Sequence, residues 1–105
     1  MLQGSVQLDN STGTVTGKPR TINWNDNYHV MYVDQPVGVG WSHKGKDTNV
    51  SNTSEAGEDF NKFITEFFKN INYTKLKGYD LYLTGESFSG SYVPVFAEML
   101  IKNKT

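Results

Sequence analysis

The sequence predicts an α/β fold built on a parallel β-α-β-α unit, with a short N-terminal β-hairpin ahead of it. Two observations carry this prediction. Strand-length apolar runs at residues 29–33 and 79–84 flank the most periodic segment of the chain, and a second helical segment follows the later run. Two strands joined by a crossover helix in one sheet are almost always parallel, because the connection is right-handed. The 105 residues contain no repeat or linker, so we expect a single partial domain over residues 1–105.

The opening residues predict the hairpin. Side chains alternate between polar and apolar over residues 5–9, turn-forming residues follow at 10–13, and a second β-prone stretch lies around residues 14–16.

The first parallel strand is predicted at residues 29–33, which are largely apolar, β-branched and aromatic. The turn-forming residues 23–27 precede it. Residues 34–42 follow, and their proline and two glycines prevent a regular strand from continuing. The polar residues 43–52 then predict a surface loop.

An amphipathic helix is predicted over residues 53–71. Asn52, followed three positions later by Glu55, is typical of a helix N-terminus, and Lys69 suits the negative end of the helix dipole. We expect its apolar face to cover a sheet. Six apolar side chains form that face at helical spacing: Phe60, Phe63, Ile64, Phe67, Phe68 and Ile71.

The second parallel strand is predicted at residues 79–84, with Leu81 and Leu83 on one side. A last helix is expected to begin after Gly85. Pro94 is tolerable there only near the first turn. The side chains expected to face inward are Phe96, Met99 and Leu100.

The composition argues against several classes of partner. The net charge is −1, and no basic run offers a footprint for nucleic acid or an anionic membrane. The longest apolar run is far shorter than the ~20 residues that span a bilayer. There is no cysteine, and neither histidine has a ligand partner at helical or turn spacing. Gly38 and Gly40 precede a polar loop instead of opening a helix, so we expect no phosphate cradle, metal or cofactor.

Asn-x-Ser/Thr sequons are more frequent than chance predicts. Roughly two are expected from the Ser and Thr content, and five occur, a pattern that favours a secreted or lumenal glycoprotein. An Asn- and Thr-rich composition alone would also generate sequons. Residues 1–5 show no signal peptide. The sequons begin at Asn10, Asn49, Asn52, Asn72 and Asn103.

The segment Gly85–Gly90, reading Gly-Glu-Ser-Phe-Ser-Gly, lies between the predicted second strand and the last helix, where a nucleophile elbow belongs. Ser87 is the predicted nucleophile, and the Phe88 backbone N–H is the predicted oxyanion donor. Ser89 stands where the strict Gly-x-Ser-x-Gly pattern has its second glycine. The alternative is that the two glycines only mark a tight turn and that Ser87 caps the helix.

Two long motifs make the chain resemble the serine carboxypeptidases of the α/β-hydrolase fold. That family carries Gly-Glu-Ser-Tyr-Ala-Gly followed by Tyr-Val-Pro, and residues 85–94 here read Gly-Glu-Ser-Phe-Ser-Gly-Ser-Tyr-Val-Pro. It also carries Asp-Gln-Pro-Val-Gly-x-Gly-Phe-Ser after a strand, and residues 34–42 read Asp-Gln-Pro-Val-Gly-Val-Gly-Trp-Ser. A tryptophan before that strand, matched by Trp24, extends the resemblance over nearly the whole chain.

The resemblance implies a chemistry for three residues. Ser87 matches the acylating nucleophile, and Phe88 takes the position of a tyrosine whose amide serves the oxyanion hole. Glu86 matches an acid that binds the terminal carboxylate of the substrate together with a second glutamate, an arrangement that requires one protonated acid and favours acidic pH. The implied substrates are C-termini of peptides or proteins, hydrolysed through an acyl-enzyme. The implied location is the secretory pathway, in a vacuole or lysosome or outside the cell.

Other parts of the machinery have no match in the sequence. His29 and His43 both precede Ser87, whereas the triad order of this fold is Ser, Asp, His. Glu98 is the only acid after the serine and is expected to be a solvated helix residue. The family's Asn-Gly-Gly-Pro-Gly loop and its second glutamate have no match either. We therefore expect an excerpt of a longer enzyme that is nearly inert alone.

Two other interpretations stay open. The parent protein could use the same elbow for acyl transfer, or the chain could be a catalytically dead remnant that serves as a binding or structural module. Unpaired strand edges and uncovered aromatic side chains would also favour self-association of the chain.

Overall fold

The computed structural model describes residues 4–46 and 49–103, and the chain divides into two compact units at Val33 and Asp34. The first unit contains an antiparallel hairpin of β1 (Val6–Asp9) and β2 (Thr16–Pro19), in which Val6 lies opposite Pro19 and Asp9 opposite Thr16. The predicted hairpin is confirmed, with its second strand two residues later than expected. A 3-10 helix, Trp24–Asp26, occupies the predicted turn.

An ion pair joins the two strands of the hairpin. Lys18 Nζ lies 2.8 Å from Asp9 Oδ2, and the backbone N–H of Ser11 donates to Asp9 Oδ1 at 2.9 Å. Lys18 above all, and then Ser11, lower the pKa of the Asp9 carboxyl from 3.8 to about 2.

The second unit contains α1 (Thr53–Lys69), which begins where the sequence predicts. Asn52 Oδ1 accepts the Glu55 backbone N–H at 2.9 Å, and Asn52 Nδ2 donates to Glu55 Oε1 at 2.9 Å. Glu55 Oε2 also accepts the Ser51 backbone N–H at 2.7 Å. These bonds satisfy donors that a helix N-terminus otherwise leaves without partners.

The helix ends two residues earlier than predicted. Asn70 leaves helical geometry with φ −64° and ψ 128°, and its carbonyl accepts the N–H groups of Tyr73 and Thr74. Ile71 is consequently 86% exposed and does not belong to the apolar face. A 3-10 helix, Thr74–Gly78, follows this turn.

The second helix, α2 (Ser89–Lys102), packs against α1. Phe60 and Phe96 stack with their ring centroids 4.6 Å apart, and the helices approach so closely at Gly57 that an added Cβ would lie 2.6 Å from Met99 Sδ. We expected a sheet to cover the apolar face of α1, and in the described residues α2 covers part of it, whereas Phe63 remains 39% exposed. The buried side chains of the core are Ala56, Phe60, Ile64, Phe96 and Leu100.

The parallel β-α-β-α unit is not confirmed. Residues 29–33 and 79–84 form no strand, and the hairpin is the only sheet in the described part of the chain. A strand exists only through hydrogen bonds to a neighbouring strand, and the sheet in the described residues contains only the two strands of the hairpin. One antiparallel hairpin and two packed helices are compatible with part of an α/β fold. No helix in residues 4–46 and 49–103 is long and apolar enough to cross a membrane.

Candidate active site

Ser87 has a left-handed backbone, with φ +60°. It is the only non-glycine residue with a positive φ in the part of the chain that the structure describes. L-residues avoid this region because Cβ crowds the backbone, so a serine there marks a sharp, strained turn. The turn places Ser87 two residues before α2, and its side chain is exposed.

Gly85 lies against the first turn of α2. A Cβ added to Gly85 would be 2.3 Å from Ser89 Cβ, 3.1 Å from Ser89 Oγ and 3.2 Å from Val93 Cγ2. Any side chain at position 85 therefore requires the helix to move. Ser89 fits at the position of the motif's second glycine because Gly85, which Ser89 contacts, has no side chain.

Three hydrogen bonds shape the start of α2. The N–H groups of Ser89, Gly90 and Ser91 donate to the carbonyls three residues earlier, at 3.2, 3.0 and 2.9 Å. The Phe88 backbone N–H donates to no acceptor among residues 4–46 and 49–103. This amide comes directly after Ser87, at the positive end of the helix dipole, and is thus suited to stabilise negative charge.

Aromatic contacts connect the turn to the helical core. The Phe88 ring meets Tyr92 edge to face at 5.1 Å, and Tyr92 lies 5.5 Å from Phe96. Phe96 in turn stacks on Phe60 of α1. Because Phe60 and Phe96 are buried and Phe88 is exposed, this series of rings runs from the exposed turn to the core between the two helices.

The segment Asp34–Ser42 forms a loop closed by Asp34. Its Oδ2 accepts the Trp41 N–H at 2.8 Å, and its carbonyl accepts the Ser42 hydroxyl at 2.7 Å. Gly40, with φ +56°, leaves room for this carboxylate, since an added Cβ would lie 2.3 Å from Asp34 Oδ2. This role of Asp34 was not predicted from the sequence. The signal that could have indicated this role is an aspartate placed seven residues before the N–H that it binds, with two glycines in between.

The remaining candidate residues are solvated. Glu86 is exposed, and its carbonyl accepts the Ser89 N–H at 3.2 Å. Glu98 pairs with Lys102 at 2.5 Å on the surface of α2, as predicted for a solvated helix residue. His29 and His43 are exposed. Within the described part of the chain, no three His, Cys, Asp or Glu side chains are grouped to hold a metal.

Comparison with known proteins assigns the chain to a family. The serine carboxypeptidase family matches residues 3–105. The chain is 43% identical to carboxypeptidase Y of Saccharomyces cerevisiae over 81 residues, which are 77% of this chain and 15% of that protein. It is 40% identical to carboxypeptidase Y homolog A of Arthroderma otae over 86 residues, 82% of this chain and 15% of the relative. The chain thus spans about 15% of the length of these relatives. By this match over nearly all of its residues, the chain belongs to the serine carboxypeptidase family.

Proposed function

We propose that the chain carries the nucleophile of a serine-type carboxypeptidase, with Ser87 as the residue that forms the acyl-enzyme. The positive φ of Ser87 at the start of α2 is the observation that carries the proposal. A helix cap needs only a side-chain oxygen and ordinary extended backbone, so capping does not explain this geometry. A nucleophile elbow does, because it must present Oγ clear of its neighbours.

The Phe88 N–H is assigned as the hydrogen-bond donor that stabilises the oxyanion. When Ser87 Oγ attacks a peptide carbonyl, negative charge develops on the carbonyl oxygen, and a donor adjacent to the nucleophile lowers the energy of that state. Loss of one such donor costs about 2.7–4 kcal/mol in other serine hydrolases. Within the chain's second unit, the Ser87 hydroxyl has no hydrogen-bond partner among the described residues. The general base and its orienting acid are therefore sought in a longer form of the protein, and the isolated chain should be nearly inactive.

Glu86 is proposed to bind the C-terminal carboxylate of a peptide substrate. It precedes the nucleophile and is exposed, so it is accessible to a ligand at the same turn. Two carboxyl groups form a hydrogen bond with each other only if one of them is protonated. This requirement predicts binding at acidic pH. Such conditions agree with a secretory, vacuolar or lysosomal location, which is part of the proposal.

A fluorophosphonate probe tests the assignment of the nucleophile. We expect the native protein, in any form longer than this chain, to be labelled at Ser87, and the label to be mapped by peptide mass spectrometry. Ser87→Ala should abolish labelling. The matched control is Ser91→Ala, since Ser91 is an exposed serine in the first turn of the same helix. A label on another serine, or none in any form, contradicts the proposal.

A pair of peptides tests the substrate. A peptide with a free C-terminus should lose its last residue, whereas the same peptide with a C-terminal amide should be cut far more slowly, because the amide offers no carboxylate to Glu86. Glu86→Gln should raise KM for the free peptide more than it lowers kcat. Adding an amine or alcohol acceptor separates hydrolysis from acyl transfer, since a transferase would form the acceptor product in preference to the acid.

A further inference from the structure

The sequon asparagines differ in what their side chains do in the folded chain. Four of the five sequons lie wholly within the described residues, and the sequon at Asn103 continues beyond them. N-glycosylation takes place on the side-chain amide nitrogen of asparagine and adds a bulky, solvated group. A sequon can therefore carry a glycan without cost only where that nitrogen is accessible and unused.

Two of the asparagines are engaged. Both amide atoms of Asn52 bind Glu55, with Oδ1 accepting the backbone N–H and Nδ2 donating to Oε1, each at 2.9 Å. This is the N-terminal cap of α1. Asn49 Oδ1 accepts a hydrogen bond from Lys44 Nζ.

Two others are accessible. Asn10 lies at the exposed turn between β1 and β2, where its carbonyl accepts the Gly13 N–H at 3.2 Å. Asn72 lies in the exposed turn after α1, where its backbone N–H donates to Asn70 Oδ1 at 3.0 Å. In both residues the backbone supports the turn. Among residues 4–46 and 49–103 neither side-chain amide has a hydrogen-bond partner.

We propose that Asn10 and Asn72 carry N-linked oligosaccharides and that Asn52 does not. The donor would be an oligosaccharide linked to a lipid pyrophosphate. The amide Nδ2 attacks the anomeric carbon, a carbon–nitrogen bond forms, and the bond from that carbon to the pyrophosphate oxygen breaks. The amide proton passes to a base of the enzyme that transfers the oligosaccharide. The lipid pyrophosphate is the leaving group. The inference rests on the secretory location included in the proposed function, and not on catalysis by Ser87.

The cap explains the exclusion of Asn52. A glycan would replace one of the two hydrogens on Nδ2, beside the Glu55 carboxylate that this amide contacts at 2.9 Å. The bulk of the sugar would push Glu55 away and expose the first N–H groups of α1. At Asn10 and Asn72 the same replacement removes no described contact, so the folded chain accommodates it.

Deglycosylation in heavy-oxygen water tests the proposal on the native protein. Peptide N-glycosidase converts each glycosylated asparagine to aspartate that contains the heavy oxygen, and mass spectrometry then locates it. We expect the heavy label at Asn10 and Asn72 and an unchanged asparagine at position 52. An untreated digest identifies spontaneous deamidation. A label missing from Asn10 or Asn72, or present at Asn52, overturns the assignment.

Single variants give a second readout. Asn72→Gln and Asn10→Gln should each increase electrophoretic mobility by one glycan, whereas the matched Asn52→Gln should leave the mobility unchanged. A mobility change with Asn52→Gln, or none with the other two, contradicts the assignment. Probe labelling of Ser87 is measured on the same samples. A native protein that is labelled at Ser87 but carries no glycan at Asn10 and Asn72 would refute the glycan assignment alone, and a glycosylated protein that is not labelled at Ser87 would refute the catalytic one alone.

Discussion

Replacing Gly85 with alanine should disrupt the elbow by steric overlap. The added Cβ would lie 2.3 Å from Ser89 Cβ and 3.2 Å from Val93 Cγ2, so the first turn of α2 has to move. Overpacking of this kind costs about 1–3 kcal/mol of unfolding free energy. Because Ser89 supplies the closest contact, Ser89→Gly in the same chain should remove most of the overlap. The double variant should therefore be at least about 1 kcal/mol more stable than the sum of the two single effects predicts.

Gly90→Ala is the matched control for this experiment. A Cβ at Gly90 meets no atom within 4 Å, and Gly90 lies inside α2, so alanine should leave stability unchanged or raise it by up to about 1 kcal/mol. Thermal unfolding followed by circular dichroism suits the measurement, since 1 kcal/mol shifts the Tm of a small domain by about 4–8 °C. Additive effects of Gly85→Ala and Ser89→Gly, or equal effects of alanine at Gly85 and Gly90, would refute the reasoning.

Three further changes probe the rest of the fold. Asn52→Ala should cost about 0.5–2 kcal/mol in urea unfolding because it removes the cap of α1, and a neutral result would contradict the capping role. Phe60→Ala should cost about 3–5 kcal/mol of unfolding free energy because Phe60 is buried, whereas Phe63→Ala, on the same helix, should cost much less because Phe63 is 39% exposed. Equal losses would contradict the position of Phe60 in the core. Lys18→Met should raise the pKa of Asp9 from about 2 towards 3.8 in an NMR titration. The lowered pKa stabilises the hairpin above pH 3.8, and this stabilisation is lost as the pH falls through about 2. The unfolding free energies of the variant and the parent should therefore become equal in strong acid. An unchanged Asp9 titration would exclude the ion pair.

Local signals in the sequence predicted the parts of the fold that depend on near neighbours. The pairing of Asn52 with Glu55 and the periodic apolar face placed the start of α1 at the observed residue. The hairpin followed from alternation around a polar turn. The end of α1 was predicted two residues too late, because Ile71 continues the apolar spacing although Asn70 has already turned the chain.

The long-range parts could not be read from the sequence in the same way. Apolar runs of strand length give the number of residues that can pair but not the partner that accepts their hydrogen bonds. Residues 29–33 and 79–84 accordingly form no described strand, and in the described residues α2, not a sheet, packs against the apolar face of α1. The closure of the loop by Asp34 was also missed, because it depends on two glycine conformations that the motif permits but does not dictate.

The left-handed backbone of Ser87 links stability to the proposed function. Such a conformation costs about 1–3 kcal/mol for a residue other than glycine, and a glycine at this position would avoid most of that cost. The three hydrogen bonds at the start of α2, worth about 0.5–1.5 kcal/mol each, and the contact between Phe88 and Tyr92 are sufficient to offset it. A serine at a position that backbone energetics would give to glycine is consistent with the proposed role of its hydroxyl as the nucleophile. The strain therefore supports a nucleophile at this turn more strongly than the motif letters alone, since the departure at Ser89 leaves the geometry of the turn intact.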